Sequence, residues 1–293
     1  MRIHTMHMTL AVMGVVMVVG LAGVRLTWAE PEIAAYEEGI QLVKKGSFRE
    51  AVAAFDKALR LNPDFAEAYG GRGNVYAALA QYEQALKDYD EAIRLDSAYV
   101  EAYFNRGNVY SGLVQHERAL KDYSAVIRLN PDLAEAYHNR ALAYLILGRG
   151  EAAADARAYL QRKGWRQKKS LYMVLVGHFG DRQARREAEA RQILDEAVTQ
   201  CDTTAWPYPL VRYLRREINA KTLLATVTGT DKQTEALTYL GLDFARSGQR
   251  QYALPYLQWV KNGGNKKFVE YRFAVAELGR LESLPPAQPQ TVP

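Results

Sequence analysis

Few residues of this chain have the types and spacing that enzyme or metal chemistry requires. Of the five histidines, His4 and His7 lie in the predicted signal peptide and the other three are not paired at metal-ligand spacing. His116-Glu117 lacks the second histidine of a helical zinc motif. The single cysteine, Cys201, excludes an intrachain disulfide and a four-cysteine zinc site. A Gly-x-Ser-x-Gly nucleophile turn and a Gly-rich phosphate loop after a strand are both missing, since the sequence has no convincing strands. The sequence therefore predicts no catalytic residue, no metal and no cofactor.

The polar residues that do recur are amides, arginines and aspartates, which suit hydrogen bonding to another chain. Asn74 and Asn108 occupy equivalent positions in successive repeats of the sequence, and paired side-chain amides can hold the backbone of an extended peptide. Arg72 and Arg106 are each followed by an aspartate at the same spacing, whereas Arg140 has an alanine at that position. We expect Arg72 and Arg106 to form ion pairs with these aspartates, with ligand binding as the alternative. We expect Arg140 to be free to bind a partner.

These positions recur because the front of the chain repeats itself with a constant period. Residues 66–99, 100–133 and 134–167 begin AEAY, VEAY and AEAY, and residues 32–65 end in the same LNPD motif that closes 100–133. A 34-residue period with helical spacing inside each unit is typical of the tetratricopeptide repeat (TPR). The sequence thus predicts an all-α solenoid of helix-turn-helix units, with four clear repeats in residues 30–167.

Small and aromatic residues fix how the two helices of each unit pack. Gly73 and Ala85 are expected where the helices cross, because helix axes 8–10 Å apart leave no room for larger side chains. The tyrosines of the repeats are expected to fill the helix seams with their hydroxyls toward water or a polar partner. They are Tyr69, Tyr76, Tyr89, Tyr103, Tyr110, Tyr123, Tyr137 and Tyr144.

The first helices of stacked repeats line one face of such an array, and positions between the packing residues face outward. These predicted peptide-binding positions are Asn74, Phe104, Asn108, Ser111, His138, Arg140 and Leu142. The alternative is ordinary solvated helix surface. In the first repeat the equivalent positions are Tyr36, Ile40 and Val43, whose apolar character predicts contact with another helix, from the N-terminus of this chain or from a second protomer.

The N-terminal segment 1–29 has the pattern of a secretory signal peptide. An uncharged, mostly apolar run from Thr9 to Val24 follows a basic start, and Ala29 is a small residue at the expected cleavage point. Val24 stands where a bacterial lipoprotein signal has its cysteine, so no lipid can be attached there. The sequence therefore predicts a periplasmic protein that is not a lipoprotein, with an uncleaved anchor in the inner membrane as the alternative.

The back half of the chain differs in charge from the repeats. Residues 30–156 carry a net charge of −6 and residues 157–293 a net charge of +9. A basic stretch flanks Trp165 and is either a solvated turn or a contact for an anionic polymer or membrane surface. Its cations are Arg162, Lys163, Arg166, Lys168 and Lys169. The alternative function is that of an envelope-tethering protein whose basic half binds such a polymer or membrane surface. Export from the cytoplasm argues against nucleic acid as a partner.

Helical patterns continue through residues 168–283, among them Arg182 to Thr199. Around Gly241 and Gly248 the repeat spacing returns, which predicts a degenerate fifth repeat, and an apolar stripe from Phe268 to Leu281 predicts a closing helix. The tail 284–293 is Pro-rich and is expected to be disordered.

This back half resembles the NlpI-type TPR proteins of the bacterial envelope. The resemblance rests on the segment FVEYRFAVAEL (residues 268–278), on the degenerate repeat before it, and on the region from Trp206 to Leu214. It implies a homodimeric periplasmic adaptor that brings cell-wall hydrolases together with a processing protease. The family's members are lipoproteins, so Val24 departs from the pattern and puts anchoring at the outer membrane in question.

Overall fold

Helices form nearly all of the secondary structure in the computed structural model, which describes residues 15–20, 23–28 and 30–285. The described helices confirm the predicted all-α fold class. Their bounds are α1 (Pro31–Lys44), α2 (Phe48–Leu61), α3 (Ala66–Ala78), α4 (Tyr82–Leu95), α5 (Val100–Gly112), α6 (His116–Leu129), α7 (Ala134–Ile146), α8 (Ala152–Lys163), α9 (Ser170–Gln183), α10 (Glu187–Gln200), α11 (Tyr208–Leu214), α12 (Ala220–Ala225), α13 (Gly229–Arg246), α14 (Arg250–Gly263) and α15 (Val269–Ser283).

One short strand pair precedes the helices and was not expected from the sequence. Strands β1 (Val15–Gly20) and β2 (Gly23–Trp28) run antiparallel, with Val15 opposite Trp28. The β1 sequence contains four valines, and β-branched residues favour extended backbone. Both strands fall within the predicted signal peptide, whose residues 1–14, 21–22 and 29 lie outside the described residues, as do residues 286–293 of the predicted tail.

The chain divides into two compact units, Met1–Val109 and Tyr110–Pro293. In unit 1, the ring of Phe55 fills the space between Gly39 and Gly71, where an added Cβ would lie 2.7 and 2.9 Å from it. In unit 2, one continuous apolar core runs from α7 to α15. Within the described residues no helix is both long and apolar enough to span a bilayer, and no group of acidic, histidine or cysteine side chains is arranged to hold a metal ion.

Seven helix ends close on the same backbone motif. A residue in the left-handed region ends the helix, and the next N–H donates to the carbonyl oxygen five residues earlier, as in a Schellman cap. At Ala80, for example, φ is 57° and the N–H of Gln81 lies 2.8 Å from the oxygen of Tyr76. The left-handed residues are Gly46, Ala80, Val114, Gly148, Arg185, Arg216 and Gly248. Alanine, valine or arginine in this region is strained, because only glycine adopts it without cost.

Gly73, Gly177 and Gly241, each on the first helix of a hairpin, face a large side chain on the second helix. An added Cβ at Gly73 would lie 2.9 Å from the ring of Tyr89, and one at Gly241 would lie 2.5 Å from Leu257. The sequence predicts Ala85 as the small residue opposite Gly73. The side chain nearest to Gly73 is instead Tyr89, and Ala85 is fully buried. An added Cβ at Gly177 would lie 2.5 Å from Ile193, and these two residues have the same sequence spacing as Gly73 and Tyr89. The α9–α10 hairpin therefore also has the form of a repeat, which the sequence did not reveal.

Gly180 should be far less tolerant of alanine than Gly279, although both lie inside helices. An added Cβ at Gly180 would lie 2.6 Å from the backbone nitrogen of Ala153, and a backbone atom cannot move aside cheaply. We expect Gly180→Ala to lower the free energy of unfolding by at least about 2 kcal/mol. Gly279 has nothing within 4 Å, so Gly279→Ala should raise it by about 0.5–1 kcal/mol through helix propensity. Urea denaturation of both variants measures the difference, and equal effects would contradict this packing.

Candidate functional site

Recurrent arginines of the first helices bridge two successive hairpins of the repeat array. The Arg72 guanidinium donates to both carboxylate oxygens of Asp88, at 2.8 and 2.7 Å, as the sequence spacing predicts. Its third hydrogen bond, 2.6 Å long, goes to Asp56 on the preceding hairpin. Because Asp88 is only 8% exposed, this bidentate pair is shielded from water and holds α3 against α4.

The equivalent arginines of the next two repeats also donate to the preceding hairpin, and Arg140 binds its own hairpin with a change of register. Arg106 donates to Asp90 on the preceding hairpin at 2.6 Å. Arg140 donates to both oxygens of Asp155, at 2.7 and 2.8 Å, and to Ser124 at 3.0 Å. The prediction that Arg140 is free for a partner is therefore wrong. The long arginine side chain reaches a carboxylate that is displaced by one residue as easily as one in register.

Tyrosines of the repeats flank these arginines and fill the seams. The guanidinium of Arg72 lies 5.5 Å from the ring centre of Tyr69 and 5.9 Å from that of Tyr76. Arg140 repeats this arrangement with the tyrosines three residues before it and four residues after it. Tyr89 and Tyr123 are fully buried. These tyrosines thus serve the packing, as predicted, and stiffen the helices that carry the candidate binding positions.

Asn74 is an exposed amide held in one orientation. Its Oδ1 accepts hydrogen bonds from the Tyr89 hydroxyl and from Asn105 Nδ2, both 2.8 Å long. Burial raises the pKa of Tyr89, so that hydroxyl stays protonated and keeps donating. With both bonds on the oxygen, the amide nitrogen of Asn74 is left to donate outward. The sequence did not predict a role for Asn105, although the pair Asn105-Arg106 recurs one repeat later as Asn139-Arg140.

The other predicted groove positions lie on the first helices of both units. In unit 1, Asn108 is exposed and Phe104 is half-buried on α5. In unit 2, Ser111 is half-buried, as are His138, Arg140 and Leu142 on α7. His138 Nδ1 lies 2.9 Å from Asn139 Oδ1, and burial lowers the pKa of its ring. The His138 ring also packs against that of Tyr159 in a tilted arrangement, with ring centres 5.6 Å apart.

The apolar positions of α1 have partners inside their own unit. Tyr36, Ile40 and Val43 are half-buried and pack against a cluster that contains Phe55. The ring centre of Tyr36 lies 5.8 Å from that of Phe55. Packing within unit 1 thus accounts for their apolar character, and Ile33, a large apolar residue of α1, is 41% exposed.

Part of the predicted basic patch is already engaged within the chain. Arg162 donates to the Pro131 carbonyl at 2.8 Å and stacks over the Tyr137 ring at 4.2 Å. Lys163 forms an ion pair with Glu135 at 2.8 Å. The remaining cations of the patch are exposed, and they are Arg166, Lys168 and Lys169. The surface available to an anionic polymer is therefore smaller than the sequence predicts.

Comparisons with known proteins define this largely helical chain as a repeat protein. A family model described as TPR repeat matches residues 39–80 and 73–113, and one described as tetratricopeptide repeat matches residues 100–133. The chain therefore contains tetratricopeptide repeats, as predicted. No curated protein sequence matches it at a significant level.

Several solved structures share the fold. YrrB, described as a TPR protein with an unusual peptide-binding site, is 22% identical with a TM-score of 0.53, over 64% of this chain and 93% of that chain. A tetratricopeptide repeat protein from Parabacteroides merdae is 17% identical with a TM-score of 0.54, over 85% and 100%. MamA is 19% identical with a TM-score of 0.52, over 65% and 97%. At identities this low, the structural similarity establishes the fold alone, which is that of a TPR solenoid.

Proposed function

We propose that this protein is a non-catalytic adaptor that binds extended segments of other proteins along the first helices of its repeats. The observation that carries the proposal is the fixed amide of Asn74, whose outward N–H groups suit the backbone carbonyls of a bound peptide. Stacked TPR hairpins present such surfaces in general. The matched family models describe repeats of this kind, which supports a scaffold rather than an enzyme.

Changes at the two asparagines test the groove. We expect Asn74→Ala/Asn108→Ala to reduce the recovery of partner proteins at least about tenfold, because two exposed amides are lost. Asn74→Asp is the sharper variant, since its carboxylate still accepts from Tyr89 and Asn105 but no longer donates. Recovery is measured by crosslinking in living cells, purification and mass spectrometry.

The matched control for these variants is Gln84→Ala, which removes an exposed amide from α4, the second helix of the same hairpin. It should leave recovery at the wild-type level, and circular dichroism confirms that every variant is folded. Unchanged recovery in both asparagine variants would show that partners do not bind along this face.

We further propose that the adaptor works in the periplasm and that its partners include cell-wall hydrolases and an envelope protease. The signal-peptide pattern of residues 1–29 and the resemblance to NlpI-type proteins support this, and Val24 argues against lipid anchoring. The resemblance also supports a homodimer. The acidic front, with a net charge of −6 over residues 30–156, favours basic partner segments. Identification of the crosslinked proteins tests these assignments directly, and recovery of lipid or glycan alone would favour the tethering alternative.

A further inference from the structure

A polar cavity of about 520 Å³ lies in unit 2 and is lined by residues of α9, of α10 and of the turn after α11. Helix α9 contributes His178 and Arg182 to its wall, one helical turn apart. Helix α10 contributes Arg191, and the turn after α11 contributes Arg215 and Arg216. The four arginines of this lining outnumber its two carboxylates, which come from α10.

Two buried polar atoms on the α9 wall lack a hydrogen-bond partner within the described part of the chain. His178 is only 5% exposed, and its Nδ1 lies 2.7 Å from the Ala190 carbonyl oxygen, while its Nε2 has no partner. Arg182 Nε is also unpartnered, the nearest acid being Glu187 Oε2 at 3.6 Å. A buried polar atom left unsatisfied costs about 1–3 kcal/mol. Two such atoms on one wall indicate that something in the cavity completes them.

The two atoms differ in what they can bond. The Nδ1 of His178 donates to a carbonyl, so its Nε2 is a hydrogen-bond acceptor in the neutral ring. Burial lowers the pKa of His178 to about 4, which keeps the ring uncharged at neutral pH. Arg182 Nε, in contrast, is a charged donor. A simple anion would satisfy the arginine but not the histidine, so the complement of this wall carries an N–H or O–H group beside a negative charge.

The arginines of the rim show where the negative charge would lie. Arg215 is paired with Asp195 at 2.5 Å, and Arg216 with the buried Asp243 at 2.8 Å. Arg216 also has a φ of 65°, a region that favours glycine. Arg191 is exposed and has no ion pair within the residues the structure describes. It is therefore the cation available to a ligand in the cavity.

We propose that this cavity binds a carboxylate flanked by an N–H donor, as at the C-terminus of a peptide or in a free amino acid. Arg191 and Arg182 Nε would bind the carboxylate, and His178 Nε2 would accept the neighbouring N–H. Leu194 and Leu214 in the lining supply apolar surface for a small side chain.

Titration calorimetry on the full chain tests the proposal with matched ligands. N-acetylated tri-alanine with a free carboxylate should bind, whereas its C-terminal amide should bind at least about tenfold more weakly. An analogue in which an ester oxygen replaces the last N–H should also bind more weakly, because the ester oxygen would face the lone pair of His178 Nε2. Free alanine separates the two sources: equal affinity indicates an amino-acid site, and weaker affinity indicates a peptide terminus.

Variants locate the binding in the cavity. Arg191→Gln should weaken tri-alanine binding at least about tenfold without loss of structure, because the side chain is exposed. Arg128→Gln, an exposed arginine of α6, is the matched control and should bind like wild type. The proposal is overturned if the amide or inorganic phosphate binds as tightly as the acid, if Arg191→Gln has no effect, or if no ligand binds and the cavity holds water alone.

Discussion

Replacing Asp243 with alanine should lower the free energy of unfolding by about 3–5 kcal/mol, the range for removing one partner of a buried ion pair. The Asp243 side chain is 3% exposed and accepts from Arg182 at 2.5 Å, from Arg216 at 2.8 Å and from the Tyr213 hydroxyl at 2.8 Å. Burial alone would raise its pKa, yet the donors around it hold that pKa below the ordinary value. Without the carboxylate, two guanidinium groups lose their shared counter-ion.

Asp195→Ala is the control for this prediction. Asp195 also pairs with an arginine of the same region, Arg215, at 2.5 Å, but its side chain is 65% exposed. Exposed pairs contribute less than about 1 kcal/mol, since water and salt screen them. Urea denaturation at neutral pH gives both values. A loss in Asp243→Ala no larger than that in Asp195→Ala would show that the buried network contributes little.

Glu270→Gln should stabilise the protein at pH 8 and leave it almost unchanged at pH 4. Glu270 is 3% exposed, and burial followed by repulsion from Glu235 raises its pKa to about 7. A folded-state pKa above the ordinary 4.5 means that this group's contribution to stability is present below pH 4.5 and is lost as the pH rises through 7. The loss amounts to about 3 kcal/mol. Glutamine never ionises, and it keeps the oxygen that accepts from Tyr239.

The measurement is the difference in unfolding free energy between Glu270→Gln and wild type, taken at one-unit steps from pH 4 to pH 8. Subtraction isolates Glu270, because other titrating groups, such as His178 with its lowered pKa, are present in both proteins. Glu282→Gln, an exposed change on the same helix, should give a flat difference. A flat difference for Glu270→Gln as well would mean that its carboxyl group titrates normally.

The repeat fold could be predicted from the sequence because its signals are local and periodic. The 34-residue spacing defined the units, and the constant spacing from Arg72 to Asp88 correctly indicated an ion pair. Seam tyrosines were likewise recognisable because they recur at equivalent positions. These features depend on helix geometry alone, which is the same in every unit.

Features that depend on a single side chain or on unusual backbone were missed. Arg140 was predicted to be unpaired because its carboxylate, Asp155, is displaced by one residue. The pattern from Arg182 to Thr199 suggested one helix, yet a turn at Arg185 separates α9 from α10, and arginine gives no sign of a left-handed residue. The cavity of unit 2 was also invisible, since it joins residues from three helices whose spacing follows no period.

The shared helix ends have a consequence for tracing the ancestry of this chain. At four of them, one in each repeat from Gly46 to Gly148, the left-handed residue is glycine, alanine, valine and glycine. The same geometry reappears at Gly248, long after the last family match ends at residue 133. If the units arose by duplication, backbone shape has persisted where residue identity has drifted. Distant relatives are then best aligned on the left-handed position itself, whichever residue occupies it.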